Sequence, residues 1–153
     1  MLKNSKNSNL EVILKLKTPE DCSVFAINAL DRNRPDLALA ARKRSIELRA
    51  ISKGAKSDVE RECLEAVFAY EEVLSARNNK KTRATRTWQM IARHGIVESV
   101  ERAVSRKDET FGFNALKELG LEEYAFESVV LRNLEIFTLN AVQRSRDRLK
   151  LNI

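Results

Sequence analysis

Apolar residues recur along most of this chain at intervals of three and four residues, the spacing that places them on one face of an α-helix. The longest stripe follows Ser57, where a glutamate stands three residues later at Glu60. This pairing predicts a capping box at a helix start, in which Ser57 and Glu60 each accept from the backbone N–H of the other. We therefore predict a helix of about twenty residues that ends near Arg77. Its apolar stripe consists of Val59, Cys63, Ala66, Val67, Tyr70, Val73 and Leu74.

Capping residues divide the rest of the pattern into further helices. Thr18 before Pro19 predicts a helix start, because threonine caps the free N–H groups and proline suits the first helical position. Pro35 predicts the start of the next helix, which should end at Gly54. Three more predicted helices follow in the second half of the chain: a short one ending at Gly120, one over Leu121–Arg132, and a last one capped by Thr138.

The N-terminal residues are less regular. Residues 1–9 are rich in Lys, Asn and Ser, and this composition predicts a flexible polar tail. Residues 10–17 alternate apolar and polar side chains as a strand would, yet the same positions also fit a short helix. Because no second strand is evident, we favour a helical turn, and strand addition to a partner stays the alternative.

Composition supports a helical fold. The chain of 153 residues contains only four glycines and two prolines, which leaves few positions for the tight turns of a β-sandwich or barrel. Length predicts one domain, over residues 10–153. The predicted fold class is all-α, a compact irregular helical bundle of about eight short-to-medium helices that includes a basic αα-hairpin.

Positive charge is concentrated in residues 77–107, which we call the basic segment. It contains nine Lys or Arg residues and two Glu residues, a local charge of +7 against a net charge of +6 for the whole chain. The remainder of the chain is therefore close to neutral. Such a concentration marks a docking surface for an acidic partner: nucleic acid, an acidic protein or an anionic membrane surface.

The front of the basic segment combines the groups that hold phosphates. A helix is predicted to begin at Thr85, with Thr85 or Thr87 as its N-cap, and its free N–H groups and dipole favour an anion. Arg83 and Arg86 flank that end, and guanidinium groups bind phosphate oxygens strongly. The predicted nucleic-acid-binding residues are Lys80, Lys81, Arg83, Thr85, Arg86, Thr87, Arg93 and Arg102.

Two short helices, Thr85–Arg93 and Ile96–Arg106, are predicted on either side of Gly95. Two helices joined by a turn with glycine are the skeleton of a helix-turn-helix, which reads DNA in the major groove. The sequence departs from the regular pattern at Glu101, where an apolar residue is usual. A plain αα-hairpin with a basic rim is the alternative.

Two further stretches carry basic residues, within 42–56 and within 144–150. Each can be an ordinary solvated helix face. If either lies beside the basic segment in space, the surfaces would form a continuous phosphate track.

Recognisable catalytic and metal-binding patterns are missing from the sequence. His94 is the single histidine, so a Ser-His-Asp or Cys-His pair would have to use it, and its place before Gly95 suits a helix end. Cys22 and Cys63 lie on apolar stripes and are interpreted as core residues of a reducing compartment. We expect no catalytic residues, no metal site and no cofactor.

Trp88, the single tryptophan, lies within the basic segment. It can stack on a base, or it can anchor its helix in the core because Ile91 follows at helical spacing. The second role is the commoner one for a residue in such a pattern.

These patterns lead to two functional hypotheses, and an enzyme whose catalytic residues form no recognisable pattern is a third, less favoured one. The first is a nucleic-acid-binding helical domain, with DNA favoured over RNA because the hairpin could enter a major groove. The alternative is a protein-interaction or inhibitor domain that binds an acidic partner. No apolar run approaches the roughly 20 residues of a membrane span, and a signal peptide is not evident, so a cytoplasmic location without membrane partners is expected.

Overall fold

The computed structural model describes residues 9–106 and 111–151, and all regular structure in these ranges is helical. The all-α prediction is confirmed. Residues 1–8 of the expected polar tail and Lys107 of the basic segment lie outside the described residues.

The helices agree closely with the predicted pattern. Residues 9–14 are helical, as preferred over a strand, and form α1. In chain order the others are α2 (Pro19–Asp31), α3 (Pro35–Ser52), α4 (Asp58–Asn78), α5 (Thr85–His94), α6 (Ile96–Ser105), α7 (Phe111–Glu118), a 3₁₀ turn (Glu122–Tyr124), α8 (Phe126–Arg132) and α9 (Leu139–Leu151).

Contacts along the chain divide it into two compact units, one ending at Lys53 and the other beginning at Gly54. The first unit contains α1 to α3, and the second contains α4 to α9. Each unit has its own buried residues and is described by itself. The single domain expected over residues 10–153 stays a prediction.

In the first unit, α2 and α3 form a helical hairpin joined by a turn at residues 32–34. Thr18 caps α2 as predicted, since its Oγ1 accepts from the backbone N–H of Asp21 at 3.0 Å. The contact face is built from small residues, which let two helices approach closely. Its buried members include Cys22, Ala29, Ala38, Ala41, Ile46 and Ala50.

Arg44 ties α1 to this hairpin. Its Nε donates to the carbonyl of Leu16 at 3.1 Å, and its Nη1 donates to Glu47 at 3.0 Å. Arg44 is therefore engaged inside the first unit. The basic face expected over 42–56 loses one of its members to this internal role.

The second unit packs α4, α6, α8 and α9 around one apolar core. The predicted stripe of α4 supplies Cys63 and Ala66, and α6 supplies Val100 and Val104, all at 1% exposure or less. Burial of such side chains supplies the main driving force for folding. The other members of the cluster are Val129, Val130, Phe137, Ala141 and Val142.

Two local predictions need correction. Ser57 caps α4, since its Oγ accepts from the N–H of Glu60 at 3.2 Å, but Glu60 accepts in return from Lys56 at 2.8 Å and not from Ser57. The second correction concerns Leu121–Arg132, predicted as one helix. It is a 3₁₀ turn followed by α8, with extended backbone at Ala125 between them.

Side chains downstream compensate for that break. Ser128 Oγ donates to the carbonyl of Glu122 at 3.0 Å, and Arg132 Nη1 donates to the carbonyl of Glu123 at 2.8 Å. The carbonyl of Glu122 also accepts from the N–H of Ala125 at 3.2 Å, so the two side chains add hydrogen bonds to the backbone where the helical pattern stops. Apolar periodicity does not distinguish the broken helix from a continuous one, because both bury Leu121, Ala125 and Val129.

Candidate functional site

Glu71 of α4 holds the start of α5. Its carboxylate is 8% exposed, and its Oε2 accepts from the N–H of Ala84 at 2.8 Å and from the indole N–H of Trp88 at 2.7 Å. The Trp88 ring lies against Phe68, with ring centroids 5.3 Å apart. Trp88 therefore anchors α5 on α4, which is the structural one of its two expected roles.

The same carboxylate changes the interpretation of the helix start. The expected N-cap at Thr85 or Thr87 is wrong, because the capping residue is Ala84 and no side chain caps the helix there. Instead, the N–H of Ala84 donates to the side chain of Glu71, which lies 13 positions earlier in the chain. A carboxylate of the protein already lies at this helix end, so the N-terminus of α5 differs from the threonine-capped phosphate clamp that the sequence predicted.

The link before α5 is also fixed to α4. Thr82 donates its backbone N–H to Ser75 Oγ at 2.9 Å, and Asn79 takes the left-handed conformation that ends α4. Lys80, Lys81 and Arg83 of this link are exposed.

A single non-helical residue, Gly95, separates α5 from α6. Its backbone angles are φ 87° and ψ 164°, in the region that favours glycine, and its N–H donates to the carbonyl of Ile91 at 2.7 Å. A helix-turn-helix usually has a turn of about three to four residues between its helices. The helix pair is therefore a sharp corner with a shorter link.

The two helices of the corner differ in burial. Ser99, Val100 and Val104 of α6 are buried, and α6 contacts α4, α8 and α9. No residue of α5 is fully buried. Of the pair, α5 is the helix whose surface is open to a large ligand.

Between α5 and α6 lies a cleft of about 570 Å³, which we call the cationic cleft. Arg86 and Arg93 enter it from α5, and Arg102 and Arg106 enter it from α6 and its C-terminal end. None of the described residues that line it is acidic. The other lining residues are Thr87, Gln89, Met90, His94 and Ser105.

Half of the predicted binding residues line the cleft, and half do not. Four of them line it: Arg86, Thr87, Arg93 and Arg102. The other four, Lys80, Lys81, Arg83 and Thr85, are exposed but do not line it.

Sequence reasoning did not assign Gln89, Met90, His94, Ser105 or Arg106 to a binding site. The sequence held part of the information, because Gln89, Met90 and Arg93 follow Arg86 at three, four and seven positions and so share its helix face. Ser105 and Arg106 have no such signal in the sequence, since their place opposite α5 depends on the corner at Gly95.

Among the described residues, Arg102 is the one cleft arginine that forms an ion pair. Arg102 Nε pairs with Glu98 Oε1 at 3.2 Å, and both side chains are about half exposed, at 50% and 51%. Exposed pairs of this kind contribute little and exchange readily for another anion. Arg106 Nη2 lies 3.9 Å from Met90 Sδ, a contact that crosses the cleft between α5 and the end of α6.

Glu101, the residue that departs from a regular helix-turn-helix pattern, has a structural role. Its two oxygens accept from the backbone N–H of Thr138 at 2.9 Å and from its hydroxyl at 2.8 Å. The Thr138 hydroxyl in turn accepts from the N–H of Ala141 at 3.1 Å and so caps α9 as predicted. Glu101 therefore fixes α6 to the start of α9.

The basic stretch at 144–150 is partly internal. Arg148 is 9% exposed and its Nη1 lies 3.4 Å from Glu127 Oε1, a buried ion pair. Its Nη2 also donates to the carbonyl of Arg106, at the end of α6. Arg148 thus supports the backbone that carries a cleft arginine, although its own charge is paired.

Burial accounts for the two cysteines. Desolvation raises the pKa of the Cys63 thiol to about 12, and burial also raises the pKa of Cys22 above the ordinary value of 9.0. Both thiols are neutral core groups, as predicted. Among the described residues, no three His, Cys, Asp or Glu side chains gather as a metal ion would require.

None of the helices in residues 9–106 and 111–151 is long and apolar enough to cross a bilayer. Comparison of the chain with protein-family models, with curated proteins and with solved structures finds no match.

Proposed function

We propose that the chain binds nucleic acid through the cationic cleft. The observation that supports the proposal most directly is that four arginines line one cleft, with no acidic side chain among the lining residues that the structure describes. Guanidinium groups bind phosphate oxygens with two parallel hydrogen bonds, and the phosphate backbone supplies most of the affinity of such complexes.

The spacing along α5 suits an extended polyanion better than one isolated phosphate. Arg86 and Arg93 stand seven positions apart, which is about 10 Å along a helix that rises 1.5 Å per residue. Arg102 and Arg106 face them from the other wall. A strand that follows the cleft can therefore place successive phosphates against different arginines.

Gln89 lies between Arg86 and Arg93 on the exposed face of α5. Glutamine is among the side chains that read base edges in the major groove. Since α5 is the open helix of the pair, groove reading by this chain would use α5, and DNA is the nucleic acid that offers an accessible major groove. A helix-turn-helix-like mode and a cytoplasmic location are part of this proposal.

Three pairs of substitutions test the proposal with equal loss of charge. The cleft pair is Arg86→Gln with Arg93→Gln, and the front pair is Lys81→Gln with Arg83→Gln. A remote pair, Lys117→Gln with Arg146→Gln, changes exposed residues that do not line the cleft. Each pair lowers the net charge of +6 by two, so differences between them report position and not total charge.

We expect the cleft pair to weaken binding most. Each lost phosphate contact should reduce the slope of log K against log salt by roughly one. Fluorescence anisotropy with labelled duplex DNA, single-stranded DNA and RNA measures the affinity, and thermal melts check folding.

Equal affinities for the cleft pair and the remote pair would refute the role of the cleft. Absence of binding to all three ligands would refute nucleic-acid binding and leave an acidic protein as the partner to seek.

A further inference from the structure

A second cavity of about 300 Å³ opens beside the cationic cleft, and we call it the aromatic cavity. Its size is at the lower end of the roughly 300–1,000 Å³ found for small-molecule sites. Residues of α4, α5, α6, α7, α8, α9 and the 3₁₀ turn form its walls. The main apolar ones are Tyr70, Met90, Phe113, Leu116, Tyr124 and Phe126.

The cavity and the cleft share three residues, Thr87, Met90 and Arg106. A ligand that places a phosphate at Arg106 can therefore place an attached apolar group among the aromatic rings. The partly buried hydrogen bond from Arg148 to the carbonyl of Arg106 connects the cavity wall with the cleft wall.

One wall of the cavity is polar. Glu127 and Arg148 line it as a buried ion pair, with 3.4 Å between Oε1 and Nη1 and side-chain exposures of 10% and 11%. A hydrocarbon chain in the cavity could form no hydrogen bond with either of these two groups. A planar heterocycle with donors and acceptors on its edge would use both the aromatic walls and the polar wall.

We propose that the aromatic cavity receives one unpaired nucleobase of the strand whose phosphates lie in the cationic cleft. The inference rests on the proposed function and makes it more specific: the chain would prefer nucleic acid with an extruded or single-stranded base over a perfect duplex. Bases stacked on aromatic side chains add affinity with little dependence on sequence, because every base has a π-face.

The test compares a perfect DNA duplex with the same duplex that carries one bulged 2-aminopurine. The wild-type chain should bind the bulged duplex about tenfold more tightly or better, and the 2-aminopurine emission should change on binding. Ala103 lines the cavity but not the cleft. Ala103→Phe should fill the cavity and remove the preference while leaving the affinity for the perfect duplex unchanged.

Two further variants make the result independent of a folding defect. Tyr70→Leu removes an aromatic wall at similar volume and should also reduce the preference. Ala76→Phe adds the same ring at an exposed position of α4 and should preserve it.

The outcomes separate the two proposals. If bulged and perfect duplexes bind equally, or if Ala103→Phe and Tyr70→Leu both fold and retain the preference, the cavity does not receive a base, although phosphate binding in the cleft would stand. If neither duplex binds at low salt, the proposed function fails and the inference fails with it.

Discussion

Replacement of Glu71 by alanine should destabilise the chain and loosen α5. The substitution removes the acceptor of two hydrogen bonds, from Ala84 at 2.8 Å and from Trp88 at 2.7 Å. Hydrogen bonds to a charged group contribute about 1.5–3 kcal/mol each. Trp88 is only partly buried, so water can reach its indole in the variant and the lower value applies to that bond. The N–H of Ala84 is buried, so the loss of its acceptor costs at least as much. The expected loss is about 3 kcal/mol, which corresponds to a fall of roughly 10 °C in Tm.

Trp88 makes the assay direct, because it is the single tryptophan of the chain. Urea denaturation followed by tryptophan fluorescence and by circular dichroism measures the free energy of unfolding. The emission of native Glu71→Ala should also shift to longer wavelength as the indole loses its bond and gains water. Glu118→Ala, at an exposed position of α7, is the matched control and should stay within about 0.5 kcal/mol of wild type. A Glu71→Ala variant as stable as this control, with unchanged emission, would refute the anchoring of α5 by Glu71.

Three other predictions follow from the described contacts. Ser57→Ala removes the cap of α4 and should cost about 1 kcal/mol in urea denaturation. Glu101→Ala removes both bonds to Thr138 and should cost about 2–3 kcal/mol, whereas Glu98→Ala, which breaks only a half-exposed pair, should cost less than about 1 kcal/mol. The folded-state pKa of Cys63 lies near 12, whereas the ordinary thiol value is 9.0, so the unfolded state loses the thiol proton first as pH rises. The free energy of unfolding should therefore fall as pH rises above 9.0. A Cys63→Ala variant should lack this component of the decrease.

The helix boundaries were largely predictable because they depend on local chemistry. Thr18, Ser57 and Thr138 cap helices through hydrogen bonds to N–H groups three residues later, a relation visible in the sequence. Gly95 and Gly120 end helices with positive φ, at 87° and 75°.

The errors arose where distant residues decide the local structure. The start of α5 offers two threonines as caps in the sequence, Thr85 and Thr87, but the acceptor comes from Glu71 on another helix. A carboxylate that packs from α4 removes the need for a threonine cap, and no local pattern reveals this.

About half of the candidate site could be predicted from the sequence. The charge count located the basic segment, and helical spacing relates Arg86 to Arg93. The second wall of the cationic cleft depends on the angle at Gly95, which brings Arg102 and Arg106 across from α5. The aromatic cavity combines residues from α4, α7, α8 and the 3₁₀ turn, so its existence follows only from tertiary packing.

The salt dependence of binding tests the central claim most directly. Fluorescence anisotropy of the wild-type chain with labelled duplex DNA, at several salt concentrations, gives the slope of log K against log salt. Phosphate contacts by the four arginines of the cationic cleft predict a slope of about −3 to −4 for duplex DNA. A slope near zero, or no binding at low salt, would contradict the account.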